Sequence, residues 1–192
     1  MIIWRDGDAT VPSAVPSVVS IGVFDGVHQG HQFVIEQTVR MARDLGLRSV
    51  VVTFDPHPLA VLSPLSAPKQ IATLGQRLEW FDKLGVDLVR VIKFNDQVAS
   101  ETAVDFVTRV LVGDLACREV VVGEDFHFGR DRKGSVEFFA ELPTEMEIRA
   151  TGLAVRGERL AGVLPRSAQP SKKAIYPWPM IFWADHLPYV VS

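Results

Sequence analysis

One cysteine in 192 residues, Cys117, excludes an intrachain disulfide and any multi-cysteine metal site. Following Leu115 and Ala116, that thiol reads as a small buried hydrophobe rather than a nucleophile. No run of about twenty apolar residues occurs, which argues against a membrane-spanning helix. Met1 to Asp6 lacks a basic stretch leading into a long apolar one, so it does not read as a signal peptide. Charge of one sign is scarce too. Twenty Lys and Arg against 23 Asp and Glu leave a net charge of −3, too weak a field to draw the surface to nucleic acid or an anionic membrane. Neither partner is expected, and a cytoplasmic protein is. An anionic ligand has to be held by a local constellation. Internal repeats and low-complexity tracts are also absent.

What is present suits one globular core: 47% hydrophobic and 22% charged residues. Val18 to Phe24 is a short apolar run ending in Gly22 and Asp25-Gly26, the pattern of a buried strand entering a turn. From about His31 to Leu45, apolar residues at Phe33, Val34, Val39, Met41, Ala42 and Leu45 approximate helical spacing, with Gly46 as the stop. Ser49 to Phe54 predicts a second buried strand, broken at Asp55-Pro56-His57-Pro58. Residues 55–70 hold prolines 56, 58, 64 and 68 and predict a long irregular loop. Thr73 and Gln76 predict a capping box for a helix through Leu84, closed by Gly85. Asp87 to Phe94 predicts a third strand, and Ser100 is the expected cap of a helix carrying Val104, Phe106, Val107, Val110 and Leu111. Glu119 to Val122 predicts a fourth strand ending at Gly123. This alternation predicts an α/β, Rossmann-like domain with a mostly parallel sheet and crossover helices. Such sheets bind ligands at the carboxyl ends of their strands. Three of those ends carry unusual polar clusters, at 22–31, 54–58 and 123–132.

The first cluster, Gly22-Val-Phe-Asp-Gly-Val-His-Gln-Gly-His31, sets two histidines three apart where a strand gives way to a helix. From a first helical turn both imidazoles project to the same side, next to unpaired backbone N–H groups and the positive end of the dipole. Glycines at 22, 26 and 30 permit close backbone approach. Imidazoles so placed can donate to phosphate oxygens as negative charge builds on them. Two other readings stay open on the residues alone: polar helix-start residues, or a metal pair, although the usual zinc spacing is four and no third ligand is near. In the second cluster, Phe54 and His57 offer flat surfaces on a proline-stiffened rim, or simply end a strand. In the third, Arg130, Arg132 and Lys133 form a basic group suited to phosphate or pyrophosphate, or a solvated loop. Asp125 can hydrogen-bond a ribose or an amine.

Taken whole, the decapeptide resembles the HxGH signature of the nucleotidyltransferase superfamily in the form of bacterial FAD synthetases. That is the FMN adenylyltransferase part of bifunctional riboflavin kinase/FAD synthetases. Thr53-Phe-Asp-Pro-His-Pro58 is similar to a second element of that family, and Val121 through Gly134 to a third. Leu88–Phe94 with Glu101–Leu111 also resembles the family's intervening strand and helix, so the likeness covers roughly residues 15 to 150. The resemblance implies an enzyme that transfers AMP from ATP to FMN, giving FAD and pyrophosphate with Mg²⁺ assisting. It implies His28 and His31 as catalytic residues. It implies ATP contacts at Gly22, Val23, Phe24, Asp25, Gly30, Gly123 and Arg132. Flavin contacts are implied at Phe54, Asp55, Pro56, His57, Pro58, Asp125, Phe126 and Phe128. No protein ligand for a metal is expected.

The expected domain spans residues 1–153, and residues 154–192 read as an atypical tail outside the family pattern. That tail has lost the alternation, contains five prolines and holds both tyrosines of the chain. A Ser-Ser-Thr-x-Ile-Arg phosphate clamp and a riboflavin kinase barrel, both usual in the family, are not visible; a frameshift or early stop is the expected origin. Two rival functions follow: another small adenylyl- or cytidylyltransferase with a different acceptor, and a weakly active or non-catalytic flavin- and ATP-binding remnant.

Overall fold

The computed structural model describes residues 1–9, 12–153, 155–156 and 159–160. Six strands form one sheet: β1 (Ile2–Arg5), β2 (Ser17–Ile21), β3 (Arg48–Asp55), β4 (Leu88–Lys93), β5 (Cys117–Gly123) and β6 (Arg149–Leu153). Their order is β1-β4-β3-β2-β5-β6, and every neighbouring pair is parallel. A separate antiparallel pair, Val155–Arg156 with Arg159–Leu160, follows. Of the tail expected at 154–192, only residues 155–156 and 159–160 are described, and the rest lies outside the described residues.

Parallel strands need crossovers, and helices supply them. Helix α1 (Gln29–Leu45) joins β2 to β3 and stops at Gly46, which adopts φ 65°. A short helix α2 (Pro58–Leu62) precedes α3 (Leu74–Lys83), whose Thr73–Gln76 capping box is complete. Two one-turn helices, α4 (Asp96–Ser100) and α5 (Ala103–Phe106), lead into a π-helical stretch over Val107–Asp114. The sheet alternates its side chains between two faces. Val50 and Val52 of β3 join Phe106, Val107, Val110 and Leu111 on one side. Val51 turns the other way to meet Ile35, Val39, Leu78 and Phe81 of α1 and α3. Helices on both faces bury the central strands, so β2 and β3 are rich in valine and even their Ser17, Ser20, Ser49 and Thr53 are buried.

Two expectations are corrected, and two strands are added. The region 55–70 is not irregular throughout: His57 caps α2 by accepting the Leu59 amide, and Pro58 takes the first-turn position where no amide is required. The cap of α5 is Thr102 rather than Ser100, because Thr102 Oγ1 accepts the Asp105 amide while Ser100 closes α4. Strands β1 and β6 were not anticipated. The first is held by its partner β4 and by Arg90, which pairs with Asp6 and Asp114 and lies 4.3 Å over the Trp4 ring.

Candidate active site

Strand order reverses between β2 and β5, which pair through Val19 and Val120. At such a reversal the crossover connections diverge and open a crevice at the carboxyl ends. The histidine loop leaves β2 there, and Gly123 ends β5 beside it. His28 is the residue before α1, with φ −65° and ψ 170°, and its side chain makes no capping bond. The first-turn amides of α1 are therefore left for another acceptor. His31 lies one turn on. The two imidazoles stack with centroids 3.6 Å apart and planes 24° from parallel.

His28 is exposed and His31 half-buried. Burial of His31, then the neighbouring His28 charge, push its pKa down from 6.5 to about 4, against a smaller opposite pull from Asp25. His31 is thus neutral at physiological pH. Its Nδ1 is buried and has no hydrogen-bond partner among the described residues. An unpaired buried polar atom costs about 1–3 kcal/mol, and a ligand oxygen would relieve that cost. Backbone strain accumulates in the same loop: Phe24 at φ 54° and Val27 at φ 40° occupy the left-handed region that branched and bulky residues avoid. Such residues cost about 1–3 kcal/mol each and persist only where packing over-determines them.

The packing comes from α3 and the chain leading into it. Asp25 accepts hydrogen bonds from the Ile71 and Ala72 amides, each at 3.0 Å. Burial works to raise the Asp25 pKa, yet those two amides, with His57 and Arg77, hold its carboxyl below the ordinary value. Arg77 is 1% exposed, a rare position for a guanidinium. It donates to the Val23 carbonyl at 2.7 Å, to Thr53 Oγ1 at 2.9 Å and to the Phe54 carbonyl at 3.3 Å, and faces Asp55 at 3.8 Å. Phe81 closes the set: the Phe24 ring meets it edge-on at 5.7 Å and meets His31 edge-on at 5.3 Å. Gly22 has to be glycine here, because a Cβ would fall 2.9 Å from the Phe24 ring.

The other expected contacts divide into buried and open groups. Phe54 and Phe128 are 9% and 8% exposed and belong to the core, where Phe54 meets Phe94 edge-on at 5.8 Å. The flat surface expected of Phe54 is turned inward. Phe126 is half-buried, stacked 5.7 Å from Phe128, and Asp125 beside it is exposed. Asp55 and Pro56, joined by a cis peptide, line a groove of about 280 Å³ with Arg5, Asp6, Val91 and Lys93. A second groove of about 510 Å³ continues past Asp6 and Lys93 to Asn95, Glu101, Asp105 and Arg109. Neither groove is lined by the histidines; the grooves lie over β3 and β4, whereas the imidazoles stand at the β2 end. Arg132 is exposed on the turn Arg130–Arg132.

Sequence reasoning passed over Arg77, Ile71 and Ala72. Arg77 did carry a signal. It falls on the buried stripe of α3 with Leu74, Leu78 and Phe81, where an unpartnered charge is costly enough to require acceptors. The amides of Ile71 and Ala72 carried none.

A family model for FAD synthetase matches residues 11–158. The chain belongs to the FAD synthetase family. Members similar to it include a bifunctional riboflavin kinase/FMN adenylyltransferase from Pseudomonas fluorescens, 41% identical over 121 residues, which are 63% of this chain and 39% of that protein. The enzyme of the same description from Escherichia coli K12 is 35% identical over 117 residues, 61% of this chain and 37% of that one. A protein of Geobacillus thermodenitrificans, carrying the same description in provisional form, is 34% identical over 171 residues, 85% of this chain and 91% of its own length. The chain thus spans about two fifths of most of the curated family members it matches. Among solved structures, one described as a macrolide-efflux protein from Streptococcus pneumoniae shares the fold with a TM-score of 0.67 and 26% identity, over 82% of this chain and 60% of that one. No helix among the described residues is long and apolar enough to cross a membrane.

Proposed function

We propose that this chain transfers AMP from ATP to FMN, releasing pyrophosphate and forming FAD. The observation that carries the reading is the stacked imidazole pair at an uncapped helix start, set at the point where strand order reverses. A phosphate oxygen of FMN attacks the α-phosphorus of ATP in line, forming one P–O bond as the bond to pyrophosphate breaks. A fully ionised phosphate monoester needs no base to deliver a proton, so catalysis here is positioning and charge stabilisation. The first-turn amides of α1 and the two imidazoles face the charge that develops on the α-phosphate. A neutral His31 donates a hydrogen bond without itself titrating near pH 7.

In this reading Gly22, Val23, Phe24, Asp25 and Gly30 shape the ATP side, with Gly123 and Arg132 across the crevice. Asp25 acts through the fold, since its oxygens are occupied by amides. Asp55, Pro56, His57, Pro58, Asp125 and Phe126 border the flavin, with Phe54 and Phe128 packed beneath them. Magnesium enters with ATP as part of the substrate and neutralises phosphate charge; among the described residues no three His, Cys, Asp or Glu side chains converge as a metal cage. A cytoplasmic setting, where ATP is available, belongs to the same reading. Residues 1–153 form the transferase domain and 154–192 a tail of different character.

Incubating the protein with FMN, ATP and Mg²⁺ and separating the flavins by chromatography tests this. FAD should appear with equimolar pyrophosphate. His28→Ala and His31→Ala should each lower kcat by about 10²–10³-fold with little change in FMN affinity. Equal losses of turnover and FMN binding, or tight flavin binding with no FAD from the unmutated chain, would sink the proposal.

A further inference from the structure

We infer that Arg77 is a positioning residue for the transfer, acting on the histidine pair through Val23 and Phe24. The inference rests on the adenylyl-transfer reading for its kinetic consequence, and on geometry for everything else. Two ends of chain meet at one guanidinium through three acceptors: the Val23 carbonyl from the histidine loop, and Thr53 Oγ1 and the Phe54 carbonyl from the end of β3. Thr53 Oγ1 also donates to the Val23 carbonyl at 3.1 Å, so that carbonyl receives two donors. Both loops assigned to substrates therefore leave the sheet from a common anchor.

The anchor's influence on the histidines passes through few atoms. Fixing the Val23 carbonyl fixes the peptide that enters Phe24, the residue held at φ 54°. Phe24 then has one place for its ring, between Phe81 of the same helix as Arg77 and the edge of His31. The ring is 4% exposed and lies against Gly22, where even a Cβ would crowd it. Without the guanidinium, the strained peptide loses a donor and Phe24 can relax toward the ordinary right-handed or extended regions. Its ring would then release His31. A displacement of about 1 Å in a group that stabilises a transition state costs on the order of 100-fold in rate. The planar fork also explains why a point charge is a poor substitute: three acceptors at different angles call for several fixed N–H vectors.

The groups facing Arg77 are Asp55, at 3.8 Å, and Asp25, whose field opposes the downward pull of burial on the guanidinium pKa. The site is thus compensated on both loops, and removing the arginine leaves two carboxylates beside the nucleotide.

The test uses the full chain with Arg77→Met, Arg77→Lys and, as a milder lesion, Thr53→Val. Arg77→Met should lower kcat about 10–100-fold with the KM for ATP within about threefold. NMR titration of the free protein should show the His31 imidazole moving from about 4 toward 6.5. Arg77→Lys should recover part of both quantities, and Thr53→Val should move both in the same direction by less. A folded Arg77→Met protein with unchanged kcat overturns the inference; so does lost kcat with the His31 titration unmoved. Where Arg77→Met does not fold, Thr53→Val decides by the same two readouts. If the unmutated chain makes no FAD while Arg77→Met still shifts the His31 titration, the positioning role stands and only the assigned reaction fails.

Discussion

The histidine loop after β2 and the basic loop after β5 each hold two non-glycine residues in the left-handed region: Phe24 and Val27 in the first, Asp131 and Arg132 in the second. Their surroundings are opposite. Phe24 and Val27 are 4% and 1% exposed, and the Asp25 carboxylate, Arg77 and Phe81 hold that loop at three separate points. The basic loop is closed at its base by the Phe128–Gly134 bridge, where a Cβ on Gly134 would sit 2.5 Å from the Phe128 ring. Beyond that base the Arg130 amide donates to the Glu101 carbonyl at 2.8 Å, but the side chains from Arg130 to Lys133 are exposed, and those of Arg132 and Lys133 have no partner among the described residues. Strain enclosed in packing gives a fixed geometry, which suits groups that must meet a transition state. Unpaired charge on an exposed turn suits a ligand that supplies the missing partner on arrival.

Removing Asp25 is the most direct way to break the comparison. Asp25→Ala deletes the acceptor of the Ile71 and Ala72 amides and unties the approach to α3 from the histidine loop. Charge-assisted bonds of this kind are each worth about 1.5–3 kcal/mol, less where water reaches them. Urea unfolding should show a loss of about 2 kcal/mol and a higher amide exchange rate at Ile71 and Ala72. A loss below about 0.5 kcal/mol, the scale of an ordinary surface change, would show that the tether does not hold the loop.

Much of this arrangement was legible in the chain, and the reasons are local. Thr73 and Gln76 announce the start of α3 because both halves of a capping box lie within one turn, and the structure forms both bonds. Gly46 announces the end of α1 because its left-handed conformation suits few other residues. The histidine pair was legible as a unit, since a spacing of three at a helix start leaves two rings one turn apart. What escaped depends on partners far away in sequence. Strand β1 is four residues long with Ile2 and Ile3 exposed, and only Trp4 is buried; it exists through pairing with residues 88–91. Strand β6, Arg-Ala-Thr-Gly-Leu, carries little β propensity and contains Gly152. Arg77 shows its purpose only when the ends of β2 and β3 lie beside it. Ser100 reads as a cap from local sequence, but it ends α4 by donating to the Gln97 carbonyl, and Thr102, two residues on, takes the capping position of α5.

A smaller effect sharpens the contrast through pH. An unfolded histidine titrates near 6.5, whereas His31 in the fold does so at about 4. Between those values the unfolded chain binds the extra proton, so stability rises with pH through the window and is lost as pH falls from about 6.5 to about 4. With the half-buried ring discounted for solvent screening, the loss should be about 1–2 kcal/mol. Urea midpoints at pH 7.5 and 4.5 measure it, and His31→Gln should flatten the difference. Asp25 belongs to a lower window: its folded value is depressed, so its contribution disappears only as pH drops below the ordinary 3.8. An equal loss in the unmutated chain and in His31→Gln would place the acid sensitivity outside the histidine loop.

The smallest change in stability is expected in the basic loop. Arg132→Ala and Lys133→Ala remove exposed charges that make no hydrogen bond or ion pair among the described residues, so unfolding free energies should stay within about 0.5 kcal/mol of the parent. Their effect should appear in binding instead. If these side chains hold ATP phosphates equally in ground and transition states, the KM for ATP rises several-fold while kcat is preserved. Rising salt should narrow the gap between parent and variant, because exposed charge pairs are screened over about 10 Å at 0.1 M. A stability loss above about 1 kcal/mol in Arg132→Ala would instead make the turn part of the scaffold. The left-handed residues at 131 and 132 would then be enclosed strain of the same kind as Phe24, and the division of labour between the two loops would disappear.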